Sequence, residues 1–385
     1  MIAAAIAILN VTLIDGTGAP PKANQNVIVR DGRIVSVGDH KPPANAEIVD
    51  GSGKFLIPGF WDMHTHVLPD SGRMLRWGVT GIRNMHVESP DAVAIALAAK
   101  ERADGPRVVT NGVIVDGPQA VYAASARAGD ARTAREIAVK ARQYGLDFLK
   151  VYDFVPRDAY FALAKESKRL KLPLTGHVPV WVTLEEAARA GQRSVEHLSG
   201  VFEACTANAS YQDDLKNAAA LWMISRNESA RRLHATVLQM AATYDSSICK
   251  PLFALLAEKQ VWQCPTLVVL GQARAAAMKV VGEMHAAGVP LLAGTDAGSN
   301  NAVPGESLHQ ELELLVESGL TPMEALQAAT SKAAEFLGLA KSLGTVQKGK
   351  WADMVLLDAN PLEDIRNTRR IAAVVSRGRV VPSHP

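Results

Sequence analysis

Apolar and polar residues alternate at both ends of the chain, while its middle carries short, unbroken apolar bursts. Over 1–57 the pattern is strand and turn: Asn26-Val27-Ile28-Val29-Arg30, then Asp31-Gly32, then Arg33-Ile34-Val35-Ser36-Val37-Gly38. Period-two alternation on both sides of an Asp-Gly pair predicts a hairpin, because these two residues tolerate the left-handed backbone of a tight turn. The same texture returns at 352–357 and 371–381, so the two ends are expected to assemble one small β module. Residues 1–9 are apolar but lack the basic start of a leader peptide, and they read as a first strand.

Through the middle, strand-like runs fall at 79–85, 108–113, 148–152, 172–177, 194–198, 261–269 and 290–295, besides the run leading into His64. Amphipathic stretches at 91–102, 130–144, 156–169 and 184–190 separate them. This alternation predicts an α/β fold of parallel strands with right-handed crossovers. Eight such strands predict a closed (β/α)8 TIM barrel, a unit of about 250 residues. The expected division is a barrel over 58–339 and a β domain from 1–57 plus 340–385. A doubly wound open sheet is the alternative, but no GxGxxG turn follows an early strand. The connection 199–259 far exceeds an ordinary loop of up to about 15 residues. It is expected to be a helical lid, with helix-like text at 213–224 and 229–244. Phe202, Tyr211, Trp222 and Tyr244 either shape a pocket beneath it or form its own core.

Composition narrows the classes. The chain has 385 residues, 48% hydrophobic and 21% charged, with a formal net charge of +2. These values fit a soluble globular protein and give no reason to expect nucleic acid or a membrane as partner. The expected partner is a small-molecule amide or peptide, the expected location cytoplasmic, with a homo-oligomer left open. Three widely spaced cysteines without a CxxC pair imply neither a thiolate metal site nor a disulfide framework, and Cys264 reads as a buried core thiol.

The chemistry sits at the downstream ends of the apolar runs. Phe60-Trp61-Asp62-Met63-His64-Thr65-His66 places two imidazoles two residues apart, on one face of a strand. His177 and His197 end two later runs. Lys150 stands between Leu149 and Val151, where desolvation favours the neutral amine. Such an amine captures carbon dioxide to give a carbamate, an anionic ligand able to bridge two metals; snorkelling or pairing with a carboxylate is the alternative. Asp296, in Gly294-Thr295-Asp296, is either a helix cap or a metal ligand that shuttles a proton. Polar ligands ending successive buried strands are how a barrel enzyme builds its active site.

The set HxH, Lys, His, His, Asp resembles the amidohydrolase superfamily in its binuclear, carboxylated-lysine form. Gly305-Glu306-Ser307-Leu308-His309-Gln310-Glu311-Leu312, Leu320-Thr321-Pro322-Met323-Glu324-Ala325-Leu326 and Lys348-Gly349-Lys350-Trp351-Ala352-Asp353-Met354-Val355 resemble its imidazolonepropionase-related, Xaa-Pro dipeptidase-like branch. The resemblance implies a barrel with a flanking β-sandwich and hydrolysis of an amide bond in a dipeptide or N-acyl amino acid, by a hydroxide bridging two divalent ions. Zinc suits the imidazole-rich shell. It implies His64 and His66 on the first ion with Asp296, His177 and His197 on the second, and carboxylated Lys150 between them.

Catalytic expectations are Asp296 as proton shuttle, Tyr152 as donor to the substrate carbonyl, and Arg83 as a clamp on a substrate carboxylate or a structural ion pair. Deaminases of this superfamily carry a glutamate three residues after the fifth-strand histidine, where this chain has Val180, so deamination is disfavoured. Hydrolysis of lactones, carbamates or organophosphate esters is the second enzymatic reading. A non-catalytic metal-binding scaffold is the reading from another class. His86, His234, His285 and His309 are expected to be non-ligands.

Overall fold

The computed structural model describes residues 5–67, 73–208, 210–299 and 301–381; the first four residues of the expected opening strand lie outside this set. Among the described residues the early strands are β1 (Ile6–Leu13), β2 (Lys22–Arg30), β3 (Arg33–Gly38), β4 (Glu47–Asp50), β5 (Phe55–Pro58), β6 (Phe60–Thr65), β7 (Val79–Asn84) and β8 (Arg107–Thr110). The middle contributes β9 (Val115–Asp116), β10 (Ala126–Arg127), β11 (Leu149–Val151), β12 (Leu174–Gly176), β13 (Ser194–Glu196) and β14 (Trp262–Cys264). The end adds β15 (Met354–Leu357), β16 (Ile371–Ser376) and β17 (Arg379–Val381). Helices lie between most of the middle strands, so the class is mixed α/β. The chain divides into two compact units: Met1–Arg83 with Glu101–Val108 and Leu292–Pro385, and Asn84–Lys100 with Val109–Leu291.

In the first unit, both chain ends enter one sheet ordered β17-β16-β15-β5-β1-β2-β3, with β4 on the side of β1. β2 and β3 form the hairpin read from Asp31-Gly32: Arg30 faces Arg33, and the two turn residues take φ of +51° and +77°. Strand β1 shifts register between Ile8 and Val11, where Asn10 adopts φ +61° and its N–H donates to Asn26 Oδ1 at 2.9 Å. That bulge turns both Ile8 and Val11 inward despite their odd spacing. They pack with Leu56, Met354, Leu356 and Val375 in one apolar core. A second sheet runs β6-β7-β8.

In the second unit, β10-β9-β11-β12 form a parallel sheet and β13 pairs in parallel with β14. Helix Ala131–Gln143 starts at Asp130 through a reciprocal capping box with Thr133. Helix Leu184–Ala190 starts the same way from Thr183 and Glu186 and stops at Gly191.

Two sequence expectations change. The apolar run at 261–269 stops being strand at Cys264, because Pro265 has no N–H to extend the ladder and a 3-10 turn, Leu267–Val269, follows. The run at 290–295 makes one isolated parallel bridge, Gln263 with Leu291, and the residues after it a second, Thr65 with Ala297, rather than a continuous ladder. Cys205 and Cys249 are disulfide-bonded, with Cα atoms 5.1 Å apart, a bridge that the cysteine spacing did not imply. Their sequence separation is 44. Helices Ser210–Ala220 and Arg226–Ala242 pack on each other as the chain returns, and Thr206 bridges Tyr244 beside the disulfide. Cys264 is buried, as expected. Among the described residues no helix is long and apolar enough to cross a membrane.

Candidate metal centre

β6 is buried along its whole length, and its alternation turns Asp62, His64 and His66 to one side. In the same unit the chain after Leu292 brings Asp296 against them. Asp296 Oδ1 lies 2.7 Å from His66 Nε2 and 3.3 Å from His64 Nε2, and the two imidazole nitrogens are 3.3 Å apart. Asp296 holds a left-handed backbone, φ +59°, and its N–H donates to the His64 carbonyl at 2.7 Å. A non-glycine residue in that region costs of order 1 kcal/mol or more and persists only where its surroundings enforce it.

Asp62 is the enforcing group. Its carboxylate accepts from Thr295 Oγ1 at 2.6 Å, Thr295 N–H at 3.0 Å and His64 N–H at 3.1 Å, tying β6 to the turn that carries Asp296. Burial pushes its carboxyl up to about 6 against the pull of those hydrogen bonds. Sequence reading passed over Asp62, although its place two residues before His64 put it on the same strand face. Arg83 is fully buried, with Nε donating to the Met63 carbonyl at 2.5 Å and the guanidinium 5.0 Å from the Phe336 ring centre.

In the second unit, β11, β12 and β13 present Lys150, His177 and His197. Lys150 is 1% exposed, with Nζ 5.7 Å from the centre of the Tyr152 ring. That ring lies 4.1 Å from His177, and His177 and His197 meet edge to face at 5.1 Å. Gly176 makes this approach possible: it holds φ +117°, and a Cβ there would fall 2.2 Å from the Val151 carbonyl. Each imidazole is aimed through its Nδ1, His177 by Asp153 Oδ1 at 2.6 Å and His197 by Thr266 Oγ1 at 2.6 Å. His197 and the β-branched Thr266 both hold positive φ, +58° and +50°.

Behind them Gln192, 1% exposed, donates through Nε2 to the carbonyls of Gly176, His177 and Ser194 at 3.1, 3.2 and 3.1 Å and accepts from Tyr160 Oη at 2.8 Å. Asp153, Thr266 and Gln192 were not legible as site residues, because their roles exist only once the strands are adjacent. His86 stacks on Tyr122 at 4.9 Å, and His309 is held by Thr368 Oγ1 and the Trp77 carbonyl. Of the aromatics in the 199–259 connection, Phe202 and Tyr244 face each other at 6.2 Å and Trp222 packs on Phe154 at 5.1 Å.

Both donor sets fit a divalent cation. In the first unit two imidazole nitrogens and a carboxylate oxygen converge, an arrangement a cation satisfies at once. In the second, His177 Nε2 is buried without a hydrogen-bond partner among the described residues while Nδ1 is held by a carboxylate. That is the pattern of a metal-ligating histidine oriented from behind.

The amidohydrolase family profile matches residues 55–381. An imidazolonepropionase of Symbiobacterium thermophilum is 25% identical over 397 residues, covering 91% of this chain and 88% of that protein. An adenine deaminase of Moorella thermoacetica is 24% identical over 350 residues, covering 86% of this chain and 51% of the deaminase, so the chain spans about half of that relative's length. Among solved structures, a Xaa-Pro dipeptidase with bound methionine in the active site superposes with a TM-score of 0.74 at 17% identity, covering 99% of this chain and 100% of that one, and so shares its fold. Family match and ligand-like geometry agree: the chain belongs to the amidohydrolase family.

Proposed function

We propose that this protein is a metal-dependent hydrolase cleaving the amide bond of a dipeptide of Xaa-Pro type or of an N-acyl amino acid. The observation that carries the reading is the meeting of His64 Nε2, His66 Nε2 and Asp296 Oδ1 within 3.3 Å of one another. On this proposal the strand sets close into a (β/α)8 barrel over 58–339, beside a β-sandwich from 1–57 and 340–385 and under a lid over 199–259. His64, His66 and Asp296 would then hold one divalent ion and His177 and His197 a second, with Lys150, carboxylated on Nζ, as a further ligand. The near-complete burial of Lys150 supports the modification, since a buried lysine favours the neutral, reactive amine. Zinc suits the imidazole donors.

When bound, such a pair lowers the pKa of a water to about 7 and polarises the substrate carbonyl. Asp296 takes the proton released as the water attacks and delivers it to the departing nitrogen. Tyr152, whose ring is stacked on His177, donates to the oxygen that gains charge. Asp153 and Thr266 fix the ring orientation of the second pair of imidazoles. Arg83 is carried as the group for a substrate carboxylate; its burial and its bond to the Met63 carbonyl also support a role in holding β6. Val180 stands where a deaminase would need an acid–base glutamate, which supports hydrolysis over deamination.

The test is Asp296→Asn. Zinc content should stay close to that of the wild type while turnover of Xaa-Pro dipeptides and N-acyl amino acids falls by at least 100-fold. Activity retained with metal bound would refute the shuttle role. Turnover confined to lactones, carbamates or organophosphate esters would move the substrate assignment to the ester reading.

A further inference from the structure

Beside His197 the second unit holds a cavity of about 520 Å³. Its walls are largely apolar, with Val178, Trp181, Leu198, Phe202, Leu233 and Leu270 among them. Three carboxylates lie on this lining, Asp153, Glu186 and Glu203. Asp153 is engaged with His177 Nδ1. Glu203, on the short helix Val201–Ala204 that begins four residues after His197, accepts from the backbone amides of Gly200 and of Glu203 itself. Neither basic side chain on the same lining forms an ion pair with Glu203 among the described residues. Arg157 is bonded through both terminal nitrogens to Glu186, and Lys216 lies 3.9 Å from Asp213. A carboxylate facing an apolar cavity with only backbone amides on it keeps an uncompensated charge, which is costly unless a cation comes to it. Burial, reinforced by the charge of Asp153, pushes the Glu203 carboxyl up to about 7, as expected of an acid whose counter-charge has yet to arrive.

We infer that this cavity receives a protonated primary amine borne on a branched apolar side chain, and that Glu203 is the residue that selects it. The inference rests on the proposed amide hydrolysis and narrows it: in a dipeptide the α-ammonium group is two bonds from the carbonyl carbon under attack, and the adjacent apolar side chain fills the rest of the cavity. An α-amino group is protonated at neutral pH, with a pKa of about 8, whereas an N-acyl group carries no charge. The substrate class is therefore a dipeptide with a free amino terminus and an apolar first residue, rather than an N-acyl amino acid.

The experiment compares Leu-Pro with N-acetyl-Leu-Pro on the zinc-loaded wild type, Glu203→Gln and Glu203→Asp. A charge-assisted contact of this kind is worth about 10- to 100-fold, so the preference for the free amine, as a ratio of kcat/KM, should fall by that factor in Glu203→Gln, chiefly through KM. Glu203→Asp, which keeps the charge, should recover part of it. Equal losses on both substrates, or an unchanged ratio, would overturn the assignment. Binding of isopentylamine, which carries the amine and the branched chain but no hydrolysable bond, is followed in parallel by NMR, with isopentanol as its neutral counterpart. Wild type should prefer the amine and Glu203→Gln should not. If neither peptide is cleaved yet this preference holds, the hydrolase reading fails and the amine site stands; if peptides are cleaved without it, the amine site fails alone.

Discussion

Replacing Asp62 with alanine sets two opposing effects against each other, and pH separates them. The substitution removes an acceptor for Thr295 Oγ1, Thr295 N–H and His64 N–H. The Thr295 N–H keeps the His64 carbonyl at 3.3 Å, so two buried donors lose their Asp62 acceptor, at about 1–3 kcal/mol each. Against this stands the burial of Asp62 itself. Its carboxyl rises from 3.8 to about 6 on folding, so the folded state binds the proton more tightly than the unfolded chain. The stability this supplies is complete below pH 3.8 and lost as pH climbs through 6, a swing of about 3 kcal/mol.

At pH 4 the metal-free variant should therefore be less stable than wild type by roughly 2–6 kcal/mol. By pH 7 the deficit should shrink by up to about 3 kcal/mol. Metal binding should show no such relief, because Asp62 orders the turn carrying Asp296; loss of an orienting partner costs about 10- to 100-fold in affinity. Urea unfolding of the EDTA-treated protein from pH 4 to 7, with zinc affinity by competition against a chromophoric chelator, measures both. A deficit independent of pH, or zinc affinity within twofold of wild type, would refute the reasoning.

Gln192→Ala should destabilise by roughly 2–4 kcal/mol, since it strips partners from three carbonyls and the Tyr160 hydroxyl. It should also weaken zinc binding by freeing the strand ends that present His177 and His197; intact binding in a destabilised protein would contradict that link. His309, buried and uncharged, titrates at about 4 in the fold against 6.5 unfolded, through desolvation and then the charge of Arg369. Stability should therefore fall by up to about 3 kcal/mol as pH drops from 6.5 to 4. His309→Gln should flatten that slope in acid unfolding curves, and an unchanged slope would exclude His309 as its source. Reducing the Cys205–Cys249 bridge, which joins positions 44 apart in sequence, should cost up to about 4 kcal/mol on the chain-entropy estimate. Denaturant unfolding with and without reductant reads this directly, and identical midpoints would show that the bond is not formed in solution.

Much of the fold could be read from local signals. Asp31-Gly32 specified the hairpin by its own backbone preference, and the helix starts at Asp130 and Thr183 follow from side chains that reach only three residues ahead. The candidate ligands stood out because each is a polar residue in or just after a short apolar run, and the spacing of His64 and His66 is itself a geometric statement. What escaped depends on contacts between segments far apart in the chain. Asp153 and Thr266 matter only because they stand behind His177 and His197. Gln192 matters because three carbonyls from two strands converge on it. Cys205 and Cys249 are neighbours only after two helices fold back. The run at 290–295 has the composition of a strand, yet its amides bond elsewhere, Ala293 N–H to the Ala328 carbonyl and Thr295 N–H to Asp62.

The central claim is that Lys150 is carboxylated and that six side chains hold two ions. A crystal structure of protein grown with zinc and bicarbonate tests it most directly, through the density at Lys150 Nζ and the number of ions beside it. The account requires a planar three-atom extension on Nζ, with one ion at His64, His66 and Asp296 and another at His177 and His197. A bare lysine turned away from the imidazoles, or zinc-replete crystals with no ion at either histidine pair, would contradict it.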